Sequence, residues 1–323
     1  MPSPTDVVFG GAVKFMLLNE QFPNAPRDFN VLYLGSSSMP LEAPTLVRLA
    51  RKRGAAFVWN QDGVAYRGWY GDGWELVNRP RARLLRAADL VVYQTAFCKL
   101  GADRFYGEPT GRWEILPNPV DVNAFAPAAR PHRPLTLLLG GSQYQRYRVD
   151  TALETLVLVR REIPDARMVV TGDLTFAPDA DAVVADKIHR HGLGDAVDLT
   201  GAYSPAEAPE LMRRADVLLH TKYNDPCPTI VLEAMASGLP VVHSASGGVP
   251  ELVGDDAGIG IPAPLDWERD HPPDPEALAE AVVEVWARLD ERSEAARARA
   301  TKQFAATQWV RRHAEAFETL RRG

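Results

Sequence analysis

Short apolar runs rich in β-branched residues alternate with longer stretches of helical spacing along the whole chain, and few architectures other than parallel α/β accept that alternation. In the first half the strand candidates are Asn30–Leu34, Ala55–Trp59, Leu90–Tyr93 and Trp113–Leu116, with helical patterns such as Leu41–Lys52 and Arg81–Ala87 between them. In the second half they are Leu135–Leu139, Arg167–Thr171, Val197–Thr200, Val217–His220, Pro240–His243 and Gly258–Ile261. The helical patterns there are Asp150–Ile163, Pro205–Ala215, Thr229–Ser237 and Glu276–Asp290. A length of 323 residues is more than one core usually serves, which points to two domains. The segment Phe125–Pro134 holds three prolines and no apolar period, so the break belongs there. The expected division is a first domain over residues 1–126, a linker over 127–134, a second domain over 135–300, and a terminal helical stretch over 301–323 that packs back on the first.

Composition narrows the class. The net charge of -6 and the absence of a basic stripe argue against a nucleic-acid partner. No apolar run approaches the ~20 residues that span a bilayer, and the start lacks the pattern of a secretory signal. Two cysteines, Cys98 and Cys227, exclude a disulfide framework or a cysteine zinc site and fit a reducing compartment. The expected location is cytoplasmic, with room for peripheral contact at the inner face of a membrane.

The densest chemistry lies between residues 216 and 254. Val217–His220 is a strand; Asp225-Pro-Cys-Pro-Thr229 leads into a helix; Ser237-Gly238 closes it. Asp225 followed by Pro226 suits a helix N-cap with proline in the first turn. A helix N-terminus on the carboxyl edge of an open parallel sheet is where ligands bind, and its free N–H groups attract phosphate. Ile230, Val231, Ala234 and Met235 share the core side, whereas Thr229 and Glu233, four apart, share another. On residues alone, Asp225 as a mere cap and Glu233 as a solvated face compete evenly with a binding role.

The spacing Asp225-x7-Glu233, continuing Ala-Met-Ala-Ser-Gly-Leu-Pro-Val-Val, and then Ser246-Gly-Gly-Val-Pro-Glu-Leu-Val253, resembles glycosyltransferase family 4. Ile115–Phe125 and Arg86–Phe97 are similar to segments that end that family's first domain. The resemblance implies the GT-B fold, two Rossmann-like parallel-sheet domains facing across a cleft. It implies retaining transfer of a sugar from a nucleotide-diphosphate-sugar, UDP-sugar favoured, to the hydroxyl of a sugar, lipid-linked or small-molecule acceptor, with no metal or other cofactor. The setting would be glycan, glycolipid or glycosylated-metabolite biosynthesis. By the same resemblance Asp225 contacts the transferred sugar and Glu233 the ribose, and backbone near Cys227, Thr229 and Ile230 meets the sugar or diphosphate. Gly10-Gly11 looks like the first domain's glycine loop. Gly172 and Tyr203 lie on segments expected near the nucleobase.

The chain departs from that pattern in three places. The first acid is Asp225 where Glu is commoner; Pro226 and Pro228 remove two N–H donors; and Ser142 stands near the expected arginine of a Gly-Arg pair. Arg146 and Arg148 are then the available cations for the diphosphate. In the first domain, Asn60-Gln61-Asp62-Gly63 stands where many members have histidine. Asp62 could orient or deprotonate the acceptor hydroxyl, Asn60 could only hydrogen-bond it, and an Asp-Gly turn is the structural alternative. Trp69 and Trp74, on a glycine-rich segment, are candidates for the acceptor site, with ordinary packing as the competing reading. Neither Gly-x-Gly-x-x-Gly nor Gly-x-Ser-x-Gly occurs, and His189 and His191, two apart on a helix, do not face each other as a metal pair would. A non-catalytic nucleotide-sugar-binding or partner subunit of the same fold is the alternative to an enzyme.

Overall fold

The structure is a computed structural model, and it describes residues 10–128 and 134–321. The first half runs α1 (Gly10–Gln21), β1 (Val31–Gly35), α2 (Ala43–Lys52), β2 (Ala56–Gln61), α3 (Arg67–Tyr70), α4 (Trp74–Ala87), β3 (Leu90–Tyr93), α5 (Ala96–Tyr106) and β4 (Arg112–Ile115). The second runs β5 (Thr136–Leu139), α6 (Arg146–Glu162), β6 (Arg167–Thr171), α7 (Ala180–Arg190), β7 (Val197–Gly201), α8 (Ala208–Arg213), β8 (Val217–His220), α9 (Thr229–Ala236), β9 (Val241–Ala245), α10 (Val249–Val253) and β10 (Gly258–Pro262). Three helices follow: α11 (Pro275–Ala287), α12 (Leu289–Gln303) and α13 (Ala306–Arg321). Two parallel sheets result, ordered β1-β2-β3-β4 and β10-β9-β8-β5-β6-β7.

Buried parallel strands must be apolar on both faces, and alternate residues serve different layers. In the first sheet Phe57, Trp59, Val91 and Tyr93 meet α2, α4 and α5, while Val58, Leu90 and Val92 face Ala316 and Phe317 of α13. The last helix therefore crosses back to cover the first domain. In the second sheet Leu137 and Leu139 belong to the core under α6, α7 and α11, and Leu138 to the core under α9 and α12. Of the expected linker 127–134, residues 129–133 lie outside the described ones. Among the described residues no helix is long and apolar enough to cross a membrane.

The second sheet carries the positional information. From β5 the chain winds outward through β6 and β7, then returns to place β8 beside β5 and winds the other way. The strand order reverses between β5 and β8, so their carboxyl ends open a crevice that connecting loops cannot close.

Candidate active site

The loops leaving β5 and β8 line a cavity of about 380 Å³ in that crevice. It receives Gly140, Gly141, Ser142, Tyr144 and Arg148 from one side and His220, Lys222, Asp225 and the start of α9 from the other. Val13, Ser37, Asp62, Gln94 and Asn118 of the first domain close it from above. A second cavity of about 330 Å³ lies on the first-domain side. The two share Ser37, Asp62, Lys222, Asp225 and Pro226, so they meet at a junction between two carboxylates.

Asp225 does not cap a helix, contrary to the expectation from Asp225-Pro226. The helix α9 starts at Thr229, with Pro228 at its N-cap in extended conformation and no side-chain cap. Proline biases the residue before it away from helical geometry, so Pro228 holds Cys227 out and delays the helix. The Asp225 carboxylate turns instead to cations: its Oδ2 lies 3.2 Å from Lys222 Nζ and 3.3 Å from His220 Nε2. Burial alone would raise its pKa, yet Lys222, His220 and Arg148 together hold it well below the usual carboxylate range. The loop that carries Asp225 rests on the Ser246-Gly-Gly motif. The Gly248 N–H donates to the Asp225 carbonyl at 2.9 Å, and a Cβ on Gly248 would sit 2.1 Å from the Pro226 carbonyl oxygen. Those glycines are there because backbone passes where a side chain would stand.

Arg148 is buried, and donates from Nη1 to the Ser142 carbonyl at 2.5 Å and from Nη2 to the Gly140 carbonyl at 3.0 Å. It thus fixes the glycine loop after β5 while presenting positive charge to the cavity. Arg146, two residues away, points to solvent and pairs with Asp150. Of the two sequence candidates, only Arg148 lines the cavity. Ser142, Gly172, Tyr203, Cys227, Thr229, Ile230 and Glu233 all line it as well. Glu233 has no side-chain hydrogen bond among the described residues, and burial pushes its carboxyl up to about 7. Gly10 and Gly11 form the first turn of α1, which brings Val13 to the cavity wall.

In the first domain Asp62 reaches the junction, and Asn60 does not line either cavity. Lys14 ties the two, at 2.5 Å to Asp62 Oδ1 and 2.6 Å to Asn60 Oδ1. Asp62 accepts further from Gln94 Nε2, from Ser36 Oγ at 3.2 Å and from the Ser37 N–H at 2.9 Å. Burial opposes its charge, but Lys14 and these donors lower its pKa overall. A carboxylate with both oxygens so engaged is poorly fitted to take a proton from a hydroxyl, and its role is to hold the wall of the junction. Trp69 lines the first-domain cavity and its indole N–H reaches Tyr144 Oη at 3.3 Å across the cleft. Trp74 packs edge-on against Phe105, with ring centroids 5.1 Å apart, and lines neither cavity.

Two residues of the site, Lys222 and Trp267, carry no signal in the sequence alone. Lys222 is the cation nearest Asp225, and a lysine after a strand ordinarily reads as solvated. Trp267, beyond β10 in the second half, inserts into the first domain's core. It stacks on Phe97 at 5.2 Å and meets Tyr66 edge-on at 4.9 Å. Glu251, from the Gly-Gly-Val-Pro-Glu motif, accepts the Ala96 and Phe97 N–H groups at the start of α5, across the domain boundary.

The chain was compared with known proteins. It is 27% identical over 256 residues to a GDP-mannose-dependent phosphatidylinositol monomannoside mannosyltransferase of Mycobacterium tuberculosis, covering 71% of this chain and 61% of that protein. It is 28% identical over 187 residues to the sulfoquinovosyl transferase SQD2 of Arabidopsis thaliana, covering 54% of this chain and 34% of that one. The chain therefore spans only part of the length of these relatives. Among solved structures it superposes on the pneumococcal O-GlcNAc transferase GtfA, bound to UDP and GlcNAc, with a TM-score of 0.73 at 14% identity, covering 95% of this chain and 59% of that one. Against Anabaena HepE in complex with UDP-glucose the TM-score is 0.69 at 18% identity, covering 96% and 81%. At such identities these superpositions establish the fold. The sequence model of the family described as glycosyl transferases group 1 matches residues 123–303, more than half of the 323, and the chain belongs to that family.

Proposed function

We propose that the protein is a retaining glycosyltransferase that moves a sugar from a nucleoside-diphosphate sugar to an acceptor hydroxyl, without a metal ion. The observation that carries this reading is the junction itself. Asp225, ionised and flanked by Lys222 and Arg148, stands where a cavity with a free half-buried carboxyl (Glu233) meets a second cavity on the other domain.

The roles follow from charge. Glu233, in the first turns of α9, accepts hydrogen bonds from the ribose hydroxyls. The diphosphate lies over Gly140–Ser142 and the start of α9, within reach of Arg148 and Lys222. When the C1–O bond breaks, its electron pair leaves with the diphosphate, and those cations meet the growing charge where a divalent ion would otherwise serve. Asp225, kept anionic, faces the positive charge that develops on the sugar ring. The acceptor oxygen bonds to C1 from the junction, beside Asp62, and its proton passes to the departing diphosphate.

UDP-sugar is the donor favoured here, and the name of the mycobacterial relative brings GDP-mannose into the comparison. The test is a thermal-shift series with UDP, GDP, ADP, CMP and TDP, with and without EDTA, on the wild type and Glu233→Ala. A nucleotide at about 100 times its dissociation constant adds about 2.7 kcal/mol to stability. One nucleotide should stabilise the wild type, keep its effect in EDTA and lose it in the variant. Loss of the effect in EDTA would remove the metal-free mechanism. If no nucleotide stabilises either protein, the site is not a donor site and a non-catalytic partner subunit becomes the better reading.

A further inference from the structure

The first-domain cavity has a chemistry of its own. Beyond the junction its wall is Val64, Tyr66, Phe97, Gly101 and Trp267, all less than a tenth exposed, with Trp69 at its mouth. The polar groups near it are largely committed within the protein. Tyr106 Oη donates to Asn78 Oδ1, Asp62 is saturated as described, and Asn224 donates from Nδ2 to the Asp266 carbonyl at 3.0 Å, its buried Oδ1 being left without a partner. A polyol placed there would lose water from each hydroxyl and regain few partners, at about 1–3 kcal/mol for every group left unmet. Apolar ring faces, by contrast, find the edges and faces of Tyr66 and Trp267 at contact distance.

One lining residue breaks that pattern. Arg81 of α4 donates from Nε to the Ser36 carbonyl at 3.1 Å and from Nη1 to the Val77 carbonyl at 2.7 Å. Those bonds fix the guanidinium in place, but among the described residues no carboxylate lies within ion-pair distance of it. A half-buried cation beside an apolar wall gains from a counter-ion, and the free edge of a guanidinium matches a carboxylate or phosphate.

We propose that the acceptor is a small hydroxylated acid with an apolar, ring-shaped body. Its acidic group pairs with Arg81, its body lies against Tyr66 and Trp267, and its hydroxyl meets the donor at the Asp62–Asp225 junction. The proposal rests on the transfer reading above but concerns only the acceptor cavity, so binding alone can test it. Calorimetric titrations would compare para-hydroxycinnamate, its methyl ester and methyl α-glucoside on the wild type and on Arg81→Gln, with UDP titrated in parallel. The acid should bind the wild type, the ester about tenfold or more weakly, as expected for loss of a charge-assisted hydrogen bond, and the glucoside weakest. Arg81→Gln should erase the difference between acid and ester while its UDP titration matches the wild type, showing that the fold is intact. An ester that binds as well as the acid, a gap that survives in Arg81→Gln, a glucoside that binds best, or no binding by any of the three would each overturn the proposal. Preference for the acid without any UDP binding would remove the transfer reading and leave the cavity's selectivity standing.

Discussion

Glu233 offers a quantitative test because its charge and its surroundings disagree. The folded protein shifts this carboxyl from an ordinary 4.5 to about 7, and the cause is burial. A raised carboxyl means that the folded state holds its proton more tightly than the unfolded chain does. The resulting cost to stability is absent below the unfolded value, grows as pH rises between 4.5 and about 7, and is complete above that. A gap of this size corresponds to a ceiling of roughly 3 kcal/mol. Because the side chain is half-buried and opens on the cavity, solvent screening should bring the real figure to about 1–2 kcal/mol. Glu233→Gln keeps the shape and removes the charge. Urea denaturation of both proteins at about pH 5 and about pH 8 should show the variant gaining about 1–2 kcal/mol on the wild type at the higher pH and little at the lower. A stability difference between the two proteins that does not change with pH, or that favours the wild type more as pH rises, would refute the argument.

Lys222→Met should raise the Asp225 pKa, since burial then outweighs the remaining cations, and weaken the binding of the stabilising nucleotide diphosphate about tenfold or more; titration with unchanged affinity would remove Lys222 from the donor site. Arg148→Ala leaves the buried Gly140 carbonyl and the Ser142 carbonyl without their donor, so a loss of about 1–3 kcal/mol in stability together with most of the turnover is expected. Arg146→Ala, at an exposed ion pair, should stay within about 0.5 kcal/mol of the wild type, and equal effects of the two substitutions would contradict the assignment. Trp267→Ala should cost about 3–5 kcal/mol, read as a lowered midpoint of thermal unfolding, and a near-neutral result would mean that the indole is not part of the first domain's core.

Much of this architecture was legible in the chain because parallel strands and their helices write themselves as local patterns. All ten strands lie within a residue or two of the apolar runs that suggested them, from Val31–Gly35 to Gly258–Pro262. The segment from Asp225 to Glu233 also stood out, since its residues are contiguous. What local pattern could not supply was direction. Arg146 and Arg148 are equivalent as letters, and only the seating of α6 on β5 decides that one faces the cavity and the other water. Asp225-Pro226 reads as a helix start, whereas the second proline at 228 postpones it and frees the carboxylate for Lys222. Trp74 and Trp69 share a glycine-rich segment, yet α4 turns the first onto Phe105 and α3 leaves the second at the cavity mouth. Arg81 and Trp267 matter through contacts with residues far away in sequence, and neither neighbourhood announces them.

The indole of Trp267 has a thermodynamic consequence. It is borne by the second domain, yet it forms a wall of the first domain's cavity. Any rotation that parts the domains must withdraw it from Phe97 and Tyr66 and dissolve that wall. Domain separation and occupancy of the first-domain cavity are therefore opposed states of a single equilibrium. By linkage, whatever occupies the cavity holds the domains together, and whatever draws them together tightens the cavity's grip by the same factor.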